Sequence, residues 1–232
     1  ISVALTRMQH EFGLTFADAT WLISVFYLAS AVGQPVMGRL SDMFGPKKVF
    51  LTGLLLVAVA CGFAPFSTNF AFLLSCRALQ AIGSSALFPS GMSIVRTSIT
   101  EGQAKALSTL SIFSTTSAAF GPSIGGFIID SWDWPAIFIV NFPFILLSIV
   151  LAITILPSTG RGKFNLERID VGGILLFIIS IVALILFLLS LEKQIHWSAL
   201  FVFFIFSFIF YMYEKNRKEP FIDVVALKTN LN

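Results

Sequence analysis

Gly38-Arg39-Leu40-Ser41-Asp42-Met43-Phe44-Gly45-Pro46-Lys47-Lys48 separates two long apolar runs. It gathers one acid, three bases and two glycines into eleven residues. The surrounding chain is 56% hydrophobic and only 12% charged, with a mean hydropathy of +0.90. Such a chain has few places to put charges of both signs together. The cluster fits a membrane surface, where a tight turn joins two helices that each re-enter the apolar phase.

Composition supports the same reading. Soluble domains carry about a quarter charged residues, and 232 residues could not hide this much apolar surface in a soluble core. The class is all-α polytopic membrane protein, because the apolar segments are continuous and far longer than barrel strands. The net charge of +3 is no nucleic-acid footprint, since the bases are dispersed over loops. Cys61 and Cys76 both fall inside apolar runs, so a disulfide framework is not expected. The chain opens on Ile1-Ser2-Val3-Ala4-Leu5, without an initiator Met or a basic leader. That opening reads as the tail of a helix whose body lies upstream.

A helix needs about 20 mostly apolar residues to cross a bilayer. Seven segments meet that length, near Thr20–Met37, Val49–Phe66, Phe70–Val95, Ala104–Ile129, Pro135–Leu156, Ile169–Leu191 and Trp197–Tyr213. Twelve of the fifteen Lys and Arg fall on one side of this arrangement, from Arg39, Lys47 and Lys48 to Lys215, Arg217, Lys218 and Lys228. Only Arg7 and Lys193 fall on the other, and Arg77 sits within a span. Basic loops stay cytoplasmic, so the chain is expected to begin outside.

Arg77 is the sharpest single residue. A charge at membrane depth costs roughly 2.5–3.5 kcal/mol on insertion scales and usually faces the protein interior. Gln80 and Ser84 follow at three and seven residues, on the same helical face. Two readings stand: a structural arginine satisfied by backbone carbonyls or snorkelling outward, or a functional charge. In the next span Ser117, Gly121 and Gly125 recur every four residues, a small-residue stripe along which another helix could approach. Pro122 favours a kink there. No Asp or Glu lies well inside a span, and His10 and His196 fall in outward loops. No metal cluster, nucleophile constellation or phosphate loop is present, and neither a metal nor a cofactor is expected.

Three motifs, in order along the chain, resemble those of the major facilitator superfamily. Gly38, Leu40, Ser41, Asp42, Gly45, Lys47 and Lys48 are similar to its loop between helices two and three, which the resemblance makes a gating element with Asp42 as a latch between bundles. Met43 and Pro46 depart from that pattern. Arg77-Ala78-Leu79-Gln80-Ala81-Ile82-Gly83 resembles the fourth-helix motif and implies a role for Arg77 and Gln80 in proton coupling. Ala81 replaces a common Gly. Gly121-Pro122-Ser123-Ile124-Gly125-Gly126 resembles the fifth-helix motif typical of exporters. Trp132-Asp133-Trp134, followed by Phe138, Asn141 and Pro143, is similar to the entry to helix six in the fourteen-helix drug:proton antiporters. Many of those carry a base where Asp133 stands.

The resemblance implies a domain plan. Residues 1–157 would be an incomplete N-terminal bundle, 158–168 a short cytoplasmic connector, 169–213 two inserted helices and 214–232 a segment leading to a missing C-terminal bundle. Helix Phe201–Tyr213 is packed with bulky residues, which suits lipid contact at the periphery. The implied activity is efflux of small amphipathic compounds in exchange for protons. The implied partners are a small-molecule substrate, protons, the lipid bilayer and the second half of the same protein, with no nucleic acid. The implied location is a bacterial plasma membrane, spanned many times. Tetracycline-type efflux, another solute carrier of the same fold and an inactive fragment or scaffold remain as alternatives. A membrane enzyme would need polar catalytic groups converging at one depth, and apart from Arg77 the spans offer few.

Overall fold

The computed structural model describes residues 4–156, 170–191, 196–215 and 217. The expected connector at 158–168 and most of 214–232 lie outside the described residues. Those that are described form helices and short turns, with no strand among them. Among the described residues, seven helical stretches are long and apolar enough to cross a membrane. They are Phe16–Phe44, Pro46–Phe66, Phe70–Ser98, Gln103–Trp132, Ala136–Thr154, Val171–Ser190 and Trp197–Lys215. Each overlaps one span expected from the sequence. The protein is an all-α polytopic membrane protein.

The chain divides into two compact units, 1–162 and 163–232. The first contains α1 (Leu5–Phe12), α2 (Phe16–Phe44), α3 (Pro46–Phe63), α4 (Phe70–Ser85), α5 (Leu87–Ser98), α6 (Gln103–Trp132), α7 (Ala136–Ile139) and α8 (Asn141–Thr154). Local chemistry sets several boundaries. Thr15 and Asp18 form a reciprocal capping box at the start of α2. Asn69 accepts the Phe72 amide at 2.9 Å and so starts α4. Gly45, at φ 93°, is the single residue between α2 and α3, a backbone geometry that favours glycine. Pro46 then takes the first position of α3, where its missing N–H costs nothing.

Two spans are interrupted. α4 and α5 meet at Ala86, three residues before Pro89, and the Ala86 amide bonds back to Gly83 at 3.2 Å. α7 and α8 meet at Val140, three residues before Pro143. There the Asn141 side chain donates to the carbonyls of Ile137 (2.8 Å) and Phe138 (3.3 Å). These bonds reinforce a helix that proline weakens.

The core of this unit lies toward the end where α1 packs. Leu5 and Met8 of α1, Ala19 and Leu22 of α2, Cys61 of α3, Leu73 and Cys76 of α4, and Trp134 and Phe138 form one buried cluster. The expected helix tail at the start of the chain is therefore followed by a separate short helix. Ile1–Val3 lie outside the described residues. α4 packs most extensively against α2 and α3. By contrast, residues 111–124 of α6 are exposed throughout.

The second unit is a hairpin of α9 (Val171–Ser190) and α10 (Trp197–Lys215). Asp170 caps α9 through the Gly173 amide at 2.9 Å. Its other contacts bind the hairpin: the Tyr213 hydroxyl donates to Asp170 Oδ1 at 3.1 Å, and Arg217 pairs with the same oxygen at 3.7 Å. Midway along, the Ser180 and Ser207 hydroxyls share a 2.7 Å hydrogen bond, and the Phe177 and Phe210 rings meet tilted, 5.9 Å between centres. In an apolar phase a hydrogen bond such as that between Ser180 and Ser207 contributes about 0.6–2 kcal/mol.

Candidate functional site

Arg77 projects from the middle of α4 and is 7% exposed. Its Nε donates to the Leu22 carbonyl of α2 at 3.2 Å. Its Nη1 donates to Gln80 Oε1 at 2.5 Å. The guanidinium carbon lies 4.3 Å from the centre of the Phe26 ring. An arginine can only donate, so Gln80 must turn its carbonyl to Arg77 and its NH2 away. That NH2 reaches Cys61 Sγ on α3 at 3.3 Å. The network thus links three helices, α2, α3 and α4. Among the described residues, no carboxylate is paired with Arg77. Its charge is met by a carbonyl, an amide oxygen and an aromatic face.

The expected pairing of Arg77 with Gln80 is present, and Ser84 bonds instead to the Ala81 carbonyl at 3.0 Å. Leu22, Phe26 and Cys61 are members of this site that motif reading did not single out. Gly83, three residues beyond Gln80, packs directly on Gly53 of α3, which fixes α4 against α3 beneath the arginine.

The Gly38–Lys48 segment is more helical than expected. α2 continues through Phe44, so Gly38 and Asp42 lie on its last turns and the turn proper is Gly45. Gly38 approaches Pro89 of α5, whose Cβ is 3.6 Å from where a Cβ on Gly38 would stand. Asp42 and Lys48 are exposed. Lys47 has a defined partner: its Nζ donates to the carbonyls of Ile153 (3.1 Å) and Leu156 (2.6 Å) at the end of α8. There it satisfies carbonyls that a helix end leaves without partners.

Gly121 and Gly125 stand on α6, with no heavy atom within 4 Å of where a Cβ would be added at either. Gly121 and Pro122 are exposed, and Gly125 and Gly126 are half-buried. The stripe is open along the described residues. At its far end α6 is held by Arg7 of α1, which pairs with Asp130 (3.7 Å) and Asp133 (3.5 Å). Trp134 Nε1 also donates to Glu11. The acid at position 133 thus has a basic partner on α1. Among the described residues, no three His, Cys, Asp or Glu side chains converge as a metal site would require.

The sequence profile of the Major Facilitator Superfamily matches residues 1–216. The chain belongs to this superfamily. Its members are transporters, not enzymes. The chain is 47% identical, over its full length, to the uncharacterized MFS-type transporter YwoD of Bacillus subtilis (strain 168), of which it covers 52%. It is 27% identical over its full length to Multidrug resistance protein 3 of the same organism, covering 46% of that protein. It is 26% identical over 76% of its length to the riboflavin transporter RibZ of Clostridioides difficile (strain 630), covering 39%. The chain spans about half the length of the curated relatives it matches.

Proposed function

We propose that this chain is part of a proton-coupled exporter of small amphipathic compounds in a bacterial plasma membrane. The observation that carries the reading is Arg77. It is a buried charge within a membrane span, held by dipoles and an aromatic face rather than by an acid. A group held this way can exchange partners at a smaller cost than one locked in a buried ion pair, where removing one partner costs 3–5 kcal/mol. In this reading Arg77 and Gln80 respond to a proton carried on a carboxylate elsewhere in the protein. Gly121, Pro122, Gly125 and Gly126 form a face for a helix outside this chain. Gly38, Asp42, Gly45, Lys47 and Lys48 form the gate between bundles, with Lys47 also closing α8. The similarity to multidrug transporters supports efflux as the direction.

Residues 1–157 then belong to the first bundle, 169–213 to an inserted pair and 214–232 to the approach to a second bundle. Two bundles would rock about a midplane site to give alternating access. The similarity to a riboflavin transporter favours a second reading, export or import of a metabolite on the same scaffold.

The test is ethidium uptake into inverted vesicles bearing the full-length protein, driven by an imposed proton gradient. Arg77→Ala should abolish gradient-driven uptake. Arg77→Lys should retain part of it, because lysine keeps the charge but loses the planar fork of donors. An Arg77→Ala variant that inserts and transports like the parent would make the arginine structural. An inserted parent that moves riboflavin and leaves ethidium behind would favour the second reading.

A further inference from the structure

Leu22 and Phe26 stand one turn apart on α2 and meet the same guanidinium. The Leu22 carbonyl accepts a hydrogen bond from Arg77 Nε at 3.2 Å, while the Phe26 ring covers the guanidinium carbon at 4.3 Å. The ring centre lies well inside the roughly 6 Å range over which an aromatic face attracts a cation. The surroundings strengthen the contact. Arg77 is 7% exposed and the segment lies within a membrane span, so little water screens the charge. Among the described residues no carboxylate pairs with it, which leaves the ring quadrupole as a main counterweight to its charge. Phe26 is itself half-buried, so the ring is not simply a lipid-facing side chain.

We infer that Phe26 is a positioning residue for Arg77. Its π face holds the guanidinium buried and turned toward Gln80, and so sets the state from which coupling begins. The inference rests on reading Arg77 as the coupling charge. It extends that reading to α2: any movement of α2 relative to α4 changes the carbonyl and the ring together, since both come from one helical turn.

The test separates ring electrostatics from ring shape. Phenylalanine at position 26 is replaced in the full-length protein by analogues bearing one, two and three ring fluorines. These nearly preserve shape while weakening the negative face. Two quantities are read: the midpoint of thermal unfolding in detergent, and the rate of gradient-driven ethidium uptake into inverted vesicles. Both should fall stepwise with fluorine number. The trifluoro form should lose about tenfold in rate, consistent with a desolvated cation–π contact. Phe26→Leu should match or exceed that loss, and Phe26→Tyr should stay near the parent.

A flat unfolding midpoint across the series would overturn the cation–π contact. A stepwise midpoint with unchanged transport would overturn the positioning role and leave a structural contact. If Arg77→Ala transports like the parent while the midpoint series remains stepwise, the coupling reading fails and the contact survives. These failures are therefore distinguishable.

Discussion

The carbonyl oxygen of Gly83 lies 2.7 Å from where a Cβ on Gly53 would stand, and that of Gly53 lies 2.8 Å from where a Cβ on Gly83 would stand. α3 and α4 therefore meet backbone to backbone, a contact that only two glycines permit. It sits one turn beyond Gln80, so it also fixes the distance over which the Gln80 amide reaches Cys61.

Gly83→Ala should destabilise the protein. Alanine gains about 1 kcal/mol over glycine in a helix interior. Here the added methyl meets the Gly53 carbonyl, Leu56 Cβ and the Val57 amide nitrogen, all within 2.9 Å. Backbone cannot rotate away, and overpacking costs about 1–3 kcal/mol. The clash should win, lowering the thermal unfolding midpoint of the full-length protein in detergent. A midpoint equal to or above that of the parent would mean the two helices are farther apart than described.

Lys47 and Lys48 are adjacent, yet only Lys47 donates to the carbonyls of Ile153 and Leu156. Lys47→Met should cost about 1 kcal/mol, the scale of a net hydrogen bond, and Lys47→Arg should recover part of it. Lys48→Met should stay within about 0.5 kcal/mol of the parent, as exposed substitutions generally do. Unfolding midpoints compare the three variants. Equal effects at both positions would indicate a general charge requirement rather than a cap on α8.

How legible this was from sequence depends on what each residue had to reach. The spans were readable because each is a continuous apolar run long enough to cross a bilayer. Arg77 with Gln80 was readable because three residues on a helix share a face. Phe26 was not, since it is one of 26 phenylalanines and its role depends on a partner 51 positions away. Cys61 was readable only as a buried thiol, because the amide that reaches it comes from another helix. Lys47 read as a loop base, for its acceptors lie more than 100 residues on. The Gly38–Lys48 turn shrank to Gly45 because charged residues near a membrane surface can still be helical. Nothing in α1 signalled its fold except Gly13 and the three-residue spacing of Leu5 and Met8 among polar residues.

Gly121→Leu tests what covers the open face of α6. Within the described residues nothing stands near Gly121. If a helix of the remaining protein packs there, leucine introduces overpacking of roughly 1–3 kcal/mol. Gradient-driven ethidium uptake by the full-length variant should then fall about tenfold or more, with normal insertion. Parent-like uptake would mean that the face meets lipid.

The expected orientation of the spans follows from charge alone, and thiol labelling checks it directly. Basic residues cluster in alternate loops, which by the positive-inside rule would place the Gly38–Lys48 turn and the α5–α6 loop in the cytoplasm. Thr68, between α3 and α4, should then face outward. It is exposed, whereas its neighbour Ser67 is buried and bonded to the Ala64 carbonyl at 2.7 Å, so Thr68 is the better reporter. Glu101, between α5 and α6, is exposed and reports the other side. In full-length protein with its native cysteines replaced, Thr68→Cys should react with a membrane-impermeant maleimide in intact cells. Glu101→Cys should react only after permeabilisation. The opposite pattern would invert the topology, and with it the side from which Arg7, Asp130 and Asp133 face the medium.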